Sequence, residues 1–277
     1  MQQPLNRLLL LQPVWLPTVL FIPLLYALGW LAAVPLTLIG LPTDQLSLTG
    51  TVLSFVLFLL VMPRWAALRW SASKPWEALG IRNSSNDNRP PSAQALLQGF
   101  LIATGLVTLI TSLILLGGWG RWLGGINYTT LINATLLCLG VGFAEELIFR
   151  SWLYQELSQI VSSRQAEIVQ AIIFSLAHTR FNLETPEILG LSLGLFLLGL
   201  VLGKMRQRNH GCLWQSIGFH GGLVGIWFIL NQGIVDFLQD TPYWLVGPGG
   251  QNPNPIGGPS SWILLTLLLI NRNRRIQ

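Results

Sequence analysis

The residues best equipped for chemistry lie in one short stretch, Gly140-Val141-Gly142-Phe143-Ala144-Glu145-Glu146-Leu147-Ile148-Phe149-Arg150. Two adjacent carboxylates and a guanidinium close an apolar run that begins near Leu131. Ionisable groups at membrane depth are costly, which makes them functional candidates. Successive helical residues diverge by about 100°, so Glu145 and Glu146 face different ways. Glu146 and Arg150 stand in the i, i+4 relation with the acid first, the favourable order for an ion pair on one helix face. Glu145 is then left without a dedicated partner on its own helix, and a buried carboxylate of that kind suits a group that must take up and return a proton. A polar clamp that only fixes helix packing needs one acid per base, and this stretch has an acid to spare.

Of the three histidines, His210 follows Arg206-Gln207-Arg208-Asn209 in a polar segment and reads as a solvated surface residue. His178 ends Phe174-Ser175-Leu176-Ala177-His178, and His220 lies in Gln215-Ser216-Ile217-Gly218-Phe219-His220-Gly221-Gly222. Taken singly, each reads as a core histidine bonded to a backbone carbonyl. Taken together, one spare glutamate and two apolar-embedded histidines on three helices make either a general base with oxyanion donors or a metal site.

The elements that must carry these residues are membrane helices. Of the 277 residues, 51% are hydrophobic and only 10% charged, with a mean hydropathy of +0.55. That is the profile of a polytopic membrane protein, not of a soluble domain. Runs of about 20 apolar residues predict an all-α bundle with spans at Val14 to Ile39, Leu46 to Met62, Gln94 to Leu116, Leu131 to Phe149, Ala166 to His178, Ile188 to Met205, Leu213 to Leu230 and Trp262 to Ile270. The first is interrupted by Pro17, Pro23 and Pro35 and is too long for a cleaved signal peptide. The fifth and last are short. With these about eight crossings and a cytoplasmic N-terminus, the inner loops hold Arg7, Arg64, Arg69, Lys74, Arg82, Arg89, Arg150, Arg164, Lys204, Arg206, Arg208, Arg272, Arg274 and Arg275. The outer loops keep only Arg121 and Arg180, the asymmetry expected when both termini are cytoplasmic. A pI near 9.8 therefore reads as orientation and not as nucleic-acid binding. Cys138 and Cys212 give neither a disulfide framework nor zinc spacing.

Three regions follow: residues 1–130, the N-terminal helices with a flexible cytoplasmic loop near 71–92; residues 131–231, a core with the candidate chemistry; and residues 232–277, an outer Gly/Pro/Asn-rich loop and a last helix. The outer loop, Val246 to Ser260, is expected to be mobile and without chemistry of its own. Gly199 with Gly203, Gly218 with Gly222 and Gly221 with Gly225 form small-residue faces of the kind that seat neighbouring membrane helices.

Glu145-Glu146-Leu-Ile-Phe-Arg150 matches EExxxR, Phe174 to His178 matches FxxxH, and Phe196 to Gly203 matches FxxGxxxG, with His220 on the next helix. In order and spacing these motifs resemble the CPBP family, named for CAAX proteases and bacteriocin-processing enzymes and also called Abi. The likeness runs from about Leu131 to Leu230. It implies an eight-helix intramembrane protease related to type II CAAX prenyl proteases, with Glu145 as general base, His178 as its partner in holding water, and His220 stabilising the oxyanion. Glu146 and Arg150 would support them, and no catalytic metal is implied. The family's last motif commonly reads HxxxN, and here the fourth residue after His220 is Val224. Loss of one oxyanion donor typically costs about 10² to 10³ in rate. Ser216 or Asn182 could supply the missing donor.

Three rivals stand beside this reading. Glu145, His178 and His220 could hold zinc with one position open for water, although HExxH is absent. A weakly active or inactive family member could act as a membrane scaffold that stabilises partner proteins. A proton-coupled carrier could use the same groups as a relay, but the sequence has no inverted repeat. The expected partners are the lipid bilayer and a membrane-associated protein or peptide substrate, with no nucleic acid.

Overall fold

Long runs of Leu, Ile, Val and Ala with few charges satisfy every backbone polar group internally only as helices, and this is what the chain forms. The computed structural model describes residues 2–82, 90–250 and 253–270. Asn83 to Asn88 of the predicted cytoplasmic loop, Arg89, residues 251–252 and the terminal Arg272, Arg274 and Arg275 lie outside the described residues. The chain divides into two compact units, Met1–Arg82 and Asn83–Gln277.

In the first unit α1 is Gln2–Leu9, α2 Trp15–Ala33, α3 Leu46–Arg69 and α4 Pro75–Ala78. A 3-10 segment, Val34–Ile39, prolongs α2 where Pro35 blocks a regular turn. Helices α2 and α3 pack through Phe21 and Trp65, whose ring centroids are 4.3 Å apart. Arg69 closes the unit by donating to the carbonyls of Leu9 at 2.9 Å and Val14 at 2.8 Å.

In the second unit α5 is Ser92–Leu116, α6 Tyr128–Leu157, α7 Ser163–His178, α8 Thr185–Arg208 and α9 Trp214–Ile229, which runs on through a π turn to Ile234. Short α10, Tyr243–Val246, and α11, Pro259–Ile270, follow. Helix starts are capped by side chains: Asn127 accepts from the amide of Thr130 at 2.7 Å, and Ser162 forms a reciprocal box with Gln165. Helices α5 and α9 run parallel in close contact, because Gly218 of α9 lies on the backbone of Leu96 and Gly99 of α5 lies on that of Gln215. Gly221 seats against Cys138 of α6, and Gly199 of α8 against Ala171 of α7. The small-residue faces read from the sequence therefore do bring helices together.

Among the described residues six helical segments are long and apolar enough to cross a membrane: Trp15–Ile39, Thr43–Arg69, Ser92–Leu116, Tyr128–Leu157, Thr185–Arg208 and Trp214–Ile234. The two remaining predicted spans, α7 with 16 residues and α11 with 12, fall short of the hydrocarbon thickness. The helical membrane fold stands, and the described residues do not confirm the count of about eight crossings. Two further features depart from expectation. Helix α5, grouped by sequence with the N-terminal helices, packs on α9 beside His220. A two-stranded antiparallel ribbon, β1 at Gly120–Trp122 with β2 at Val235–Phe237, ties the ends of α5 and α9 together. Three-residue strands are too short to show an alternating pattern in sequence.

Candidate active site

The candidate residues come from three helices of the second unit. Helix α6 carries Glu145, Glu146 and Arg150, and it is not uniformly α-helical: Leu137–Val141 and Glu146–Leu153 are π turns on either side of Gly142–Glu145. π turns recur at functional sites because they re-aim side chains within an otherwise regular helix. Gly142 lets this helix lie directly on Gly221 of α9, next to His220. Helix α7 delivers His178 in its last turn, and Thr179 fixes that end by donating to the Ser175 carbonyl at 2.8 Å and meeting the Ser192 hydroxyl at 2.9 Å.

Glu145 and Glu146 do diverge. The Glu145 carboxylate faces a half-open cavity of about 500 Å³ that is lined also by Phe174, His178, Leu198, His220 and Val224. Its Oε2 lies 2.9 Å from Nε2 of His178 and 3.7 Å from Nε2 of His220. Oε2 is nevertheless buried without an aligned N–H donor. A buried acceptor on a cavity wall calls for a water molecule as its partner. Nδ1 of His178 is 2.8 Å from the Phe174 carbonyl. A carbonyl only accepts, so the His178 proton sits on Nδ1 and its Nε2 lone pair turns toward Glu145. Two acceptors 2.9 Å apart are compatible only if the pair shares a proton.

Glu146 is fully buried and does more than pair with Arg150. Its Oε1 lies 3.1 Å from Nη1 of Arg150 and 2.8 Å from Nδ1 of His220. The carboxylate thus accepts from His220 Nδ1–H and turns Nε2 into the cavity beside Glu145. The Arg150 guanidinium, also buried, lies 3.9 Å from the centroid of the Phe174 ring. That ring meets His178 at 4.4 Å and His220 edge-on at 5.7 Å. Phe174, in sequence only the first letter of a motif, is therefore the surface on which the guanidinium and both imidazole rings rest. Two carboxylates and one guanidinium leave the buried group one positive charge short of neutrality. One shared proton on a histidine closes that balance, which isolated buried charges require.

The two proposed substitutes for the missing amide do not reach the cavity. Ser216 is buried one turn before His220, away from the cavity, and donates to the Leu213 carbonyl at 2.8 Å. Asn182 is exposed beyond the end of α7. Val224 does line the cavity, as do Asn231, Gln232 and Asn254, none of which sequence patterns singled out. The Gly/Pro/Asn-rich loop expected to be idle forms a wall through Pro253, Asn254, Pro255 and Ile256. It is held there because Gly194 of α8 admits the Ile256 carbonyl against the helix. Trp227 Nε1 also donates to the Pro253 carbonyl at 3.0 Å. Among the described residues no group of three or more His, Cys, Asp and Glu side chains is arranged to hold a metal ion. His220 turns Nδ1 to Glu146 and leaves Nε2, together with Nε2 of His178, beside Oε2 of Glu145.

Residues 127–226 match the family described as type II CAAX prenyl endopeptidase Rce1-like. Residues 2–74 match a domain of unknown function, DUF8676. No curated protein and no solved structure matches the chain. The first match lies wholly within the second compact unit and includes Glu145, Glu146, Arg150, His178 and His220.

Proposed function

With residues 127–226 a domain of the type II CAAX prenyl endopeptidase Rce1-like family, and so of the CPBP protease family, we propose that the chain is an intramembrane endopeptidase whose water is activated by Glu145 and His178. The observation that carries this reading is Oε2 of Glu145 on a cavity wall, 2.9 Å from Nε2 of His178 and 3.7 Å from Nε2 of His220.

A water held by Glu145 and His178 gives a proton to the carboxylate as its oxygen attacks the scissile carbonyl carbon. The carbonyl oxygen becomes an oxyanion facing His220 Nε2. Nδ1–H of His220 is engaged by Glu146, so Nε2 is the ring nitrogen that faces the oxyanion, and it donates there once the one shared proton of the buried group has passed to it. Glu145 then passes its proton to the leaving amine and the C–N bond breaks, yielding a carboxylic acid and an amine, which become carboxylate and ammonium when the acid gives its proton to the amine. Glu146 and Arg150 touch no substrate; they position His220 and the helix that presents Glu145. The helices around the floor of the cavity shield the charged intermediate, and its open end admits water. The substrate class is a membrane-associated protein or peptide, and the lipid bilayer is the other partner.

The test uses the purified full chain reconstituted in vesicles, wild type against Glu145→Ala, incubated with a library of hydrophobic peptides and analysed by mass spectrometry. New termini with the wild type alone support the assignment. Equal cleavage by both proteins refutes it.

A further inference from the structure

The cavity extends from the candidate catalytic residues toward one end of the bundle only. Along α9 its lining begins at His220 and continues through Leu223, Val224, Trp227 and Phe228 to Asn231 and Gln232, with no residue before His220. Twelve residues of helix at 1.5 Å each place Gln232 about 18 Å from His220. Along α5 the lining begins at Leu106, in the half of the helix that leads to Leu116. Along α8 it includes only Leu195 and Leu198, at the middle of the helix, and no residue of the last turns that lead to Arg208. Along α7 it holds only the last turn, Phe174 and His178, and then Arg180 beyond the helix end. The exposed polar lining residues, Arg180 and Gln232, are both at this end. Glu145, Phe174 and His220 thus form a floor, and the mouth is the polar end where α5 and α9 finish and α8 begins.

Basic residues mark the opposite end. Arg164 stands at the start of α7, and Lys204, Arg206 and Arg208 in the last turns of α8. In sequence, Lys74, Arg82 and Arg89 precede the start of α5 at Ser92 within the range that orients a membrane helix. Among the described residues of this unit the mouth end holds only Arg121, on β1, and Arg180 as basic side chains. Lys and Arg gather on the cytoplasmic side of membrane proteins.

We infer that the catalytic cavity opens away from the cytoplasm, so that the substrate is an extracytoplasmic peptide or the extracytoplasmic segment of a membrane protein. This rests on the endopeptidase reading for what happens at the floor, but not for the direction of the mouth. A cytosolic protein tail would have to pass the floor itself, between helices that Gly218 and Gly221 hold in backbone contact.

The experiment uses the full chain with Cys138 and Cys212 replaced by Ser and one new cysteine at a time, expressed in cells whose membrane sidedness is known. Gln232→Cys reports the mouth, Asp240→Cys the loop at the same end, and His210→Cys the loop at the basic end. A membrane-impermeant maleimide applied to intact cells is expected to label Gln232→Cys and Asp240→Cys at least tenfold more than His210→Cys, with His210→Cys labelled once the membrane is opened. Labelling of His210→Cys from outside with Asp240→Cys protected reverses the orientation and overturns the inference. Labelling of Asp240→Cys without Gln232→Cys, in intact and in opened cells, shows that no aqueous mouth exists at this end and also overturns it. These readings do not depend on turnover. If Glu145→Ala leaves cleavage unchanged while the labelling pattern holds, the protease assignment fails and the direction of the cavity stands.

Discussion

Replacing Glu146 by Gln probes the least expected contact in the site. The carboxylate lies 3.1 Å from Arg150 and 2.8 Å from His220, and both Glu146 and Arg150 are buried. Glutamine keeps the shape and an acceptor oxygen but removes the charge. Arg150 is then a buried cation with no partner on its own helix, and breaking such a pair costs about 3 to 5 kcal/mol. His220 loses the carboxylate that accepts from Nδ1–H and so fixes the ring with Nε2 toward the oxyanion. Loss of one oxyanion donor lowers the rate by about 10² to 10³. Thermal unfolding in detergent and peptide cleavage in vesicles separate the two effects when the double variant Glu146→Gln with Arg150→Met is added. Removing the orphaned cation is expected to restore most of the stability and none of the rate. Recovery of rate along with stability would show that Glu146 serves only to fold the helix and would refute its role at His220.

Val224→Asn places an amide on the cavity wall one turn beyond His220 and is expected to raise turnover at least tenfold; a rate unchanged or lowered, with stability retained, would mean that the wall at 224 does not face the oxyanion. Gly194→Val forces the Ile256 carbonyl away from α8, and overpacking of this kind costs about 1 to 3 kcal/mol. It is expected to lower the unfolding temperature and to raise KM more than it lowers kcat, measured on the same peptide. Trp227→Phe removes the 3.0 Å bond to Pro253, worth about 1 kcal/mol, and should weaken substrate binding without altering the rate at saturation. Cleavage is expected to survive strong chelators and to gain nothing from added zinc; a loss that zinc reverses would move the mechanism to a metal.

Much of the fold was legible because its signals are local. Runs such as Ser92–Leu116 and Thr185–Arg208 are long, apolar and bounded by polar residues, so their existence and near-complete extent follow from hydropathy. The divergence of Glu145 and Glu146 followed from helix geometry, although the π turn that begins at Glu146 did not show in the sequence. What stayed hidden depends on contacts between distant segments. Glu146 meets His220 across 74 residues, and no spacing rule connects them. Phe174 supports Arg150, His178 and His220 only because α6, α7 and α9 converge on it. The loop containing Pro253 to Ile256 looks idle by composition, since glycine and proline usually mark solvent-facing turns. It becomes a cavity wall through Gly194, a residue that reads as ordinary helix packing until its neighbour is known. Ser216 was plausible as a donor by helical spacing, yet the cavity extends from His220 in the other direction.

The central claim is that Glu145 activates water for peptide hydrolysis, and its most direct test is made in cells. Newly exposed protein N-termini are compared between cells carrying the wild-type chain and cells carrying Glu145→Ala at equal abundance. The account predicts at least one cut in a membrane-associated or exported protein that disappears with the substitution, while the variant protein remains folded. Identical N-termini in both cell lines across several growth conditions would contradict it.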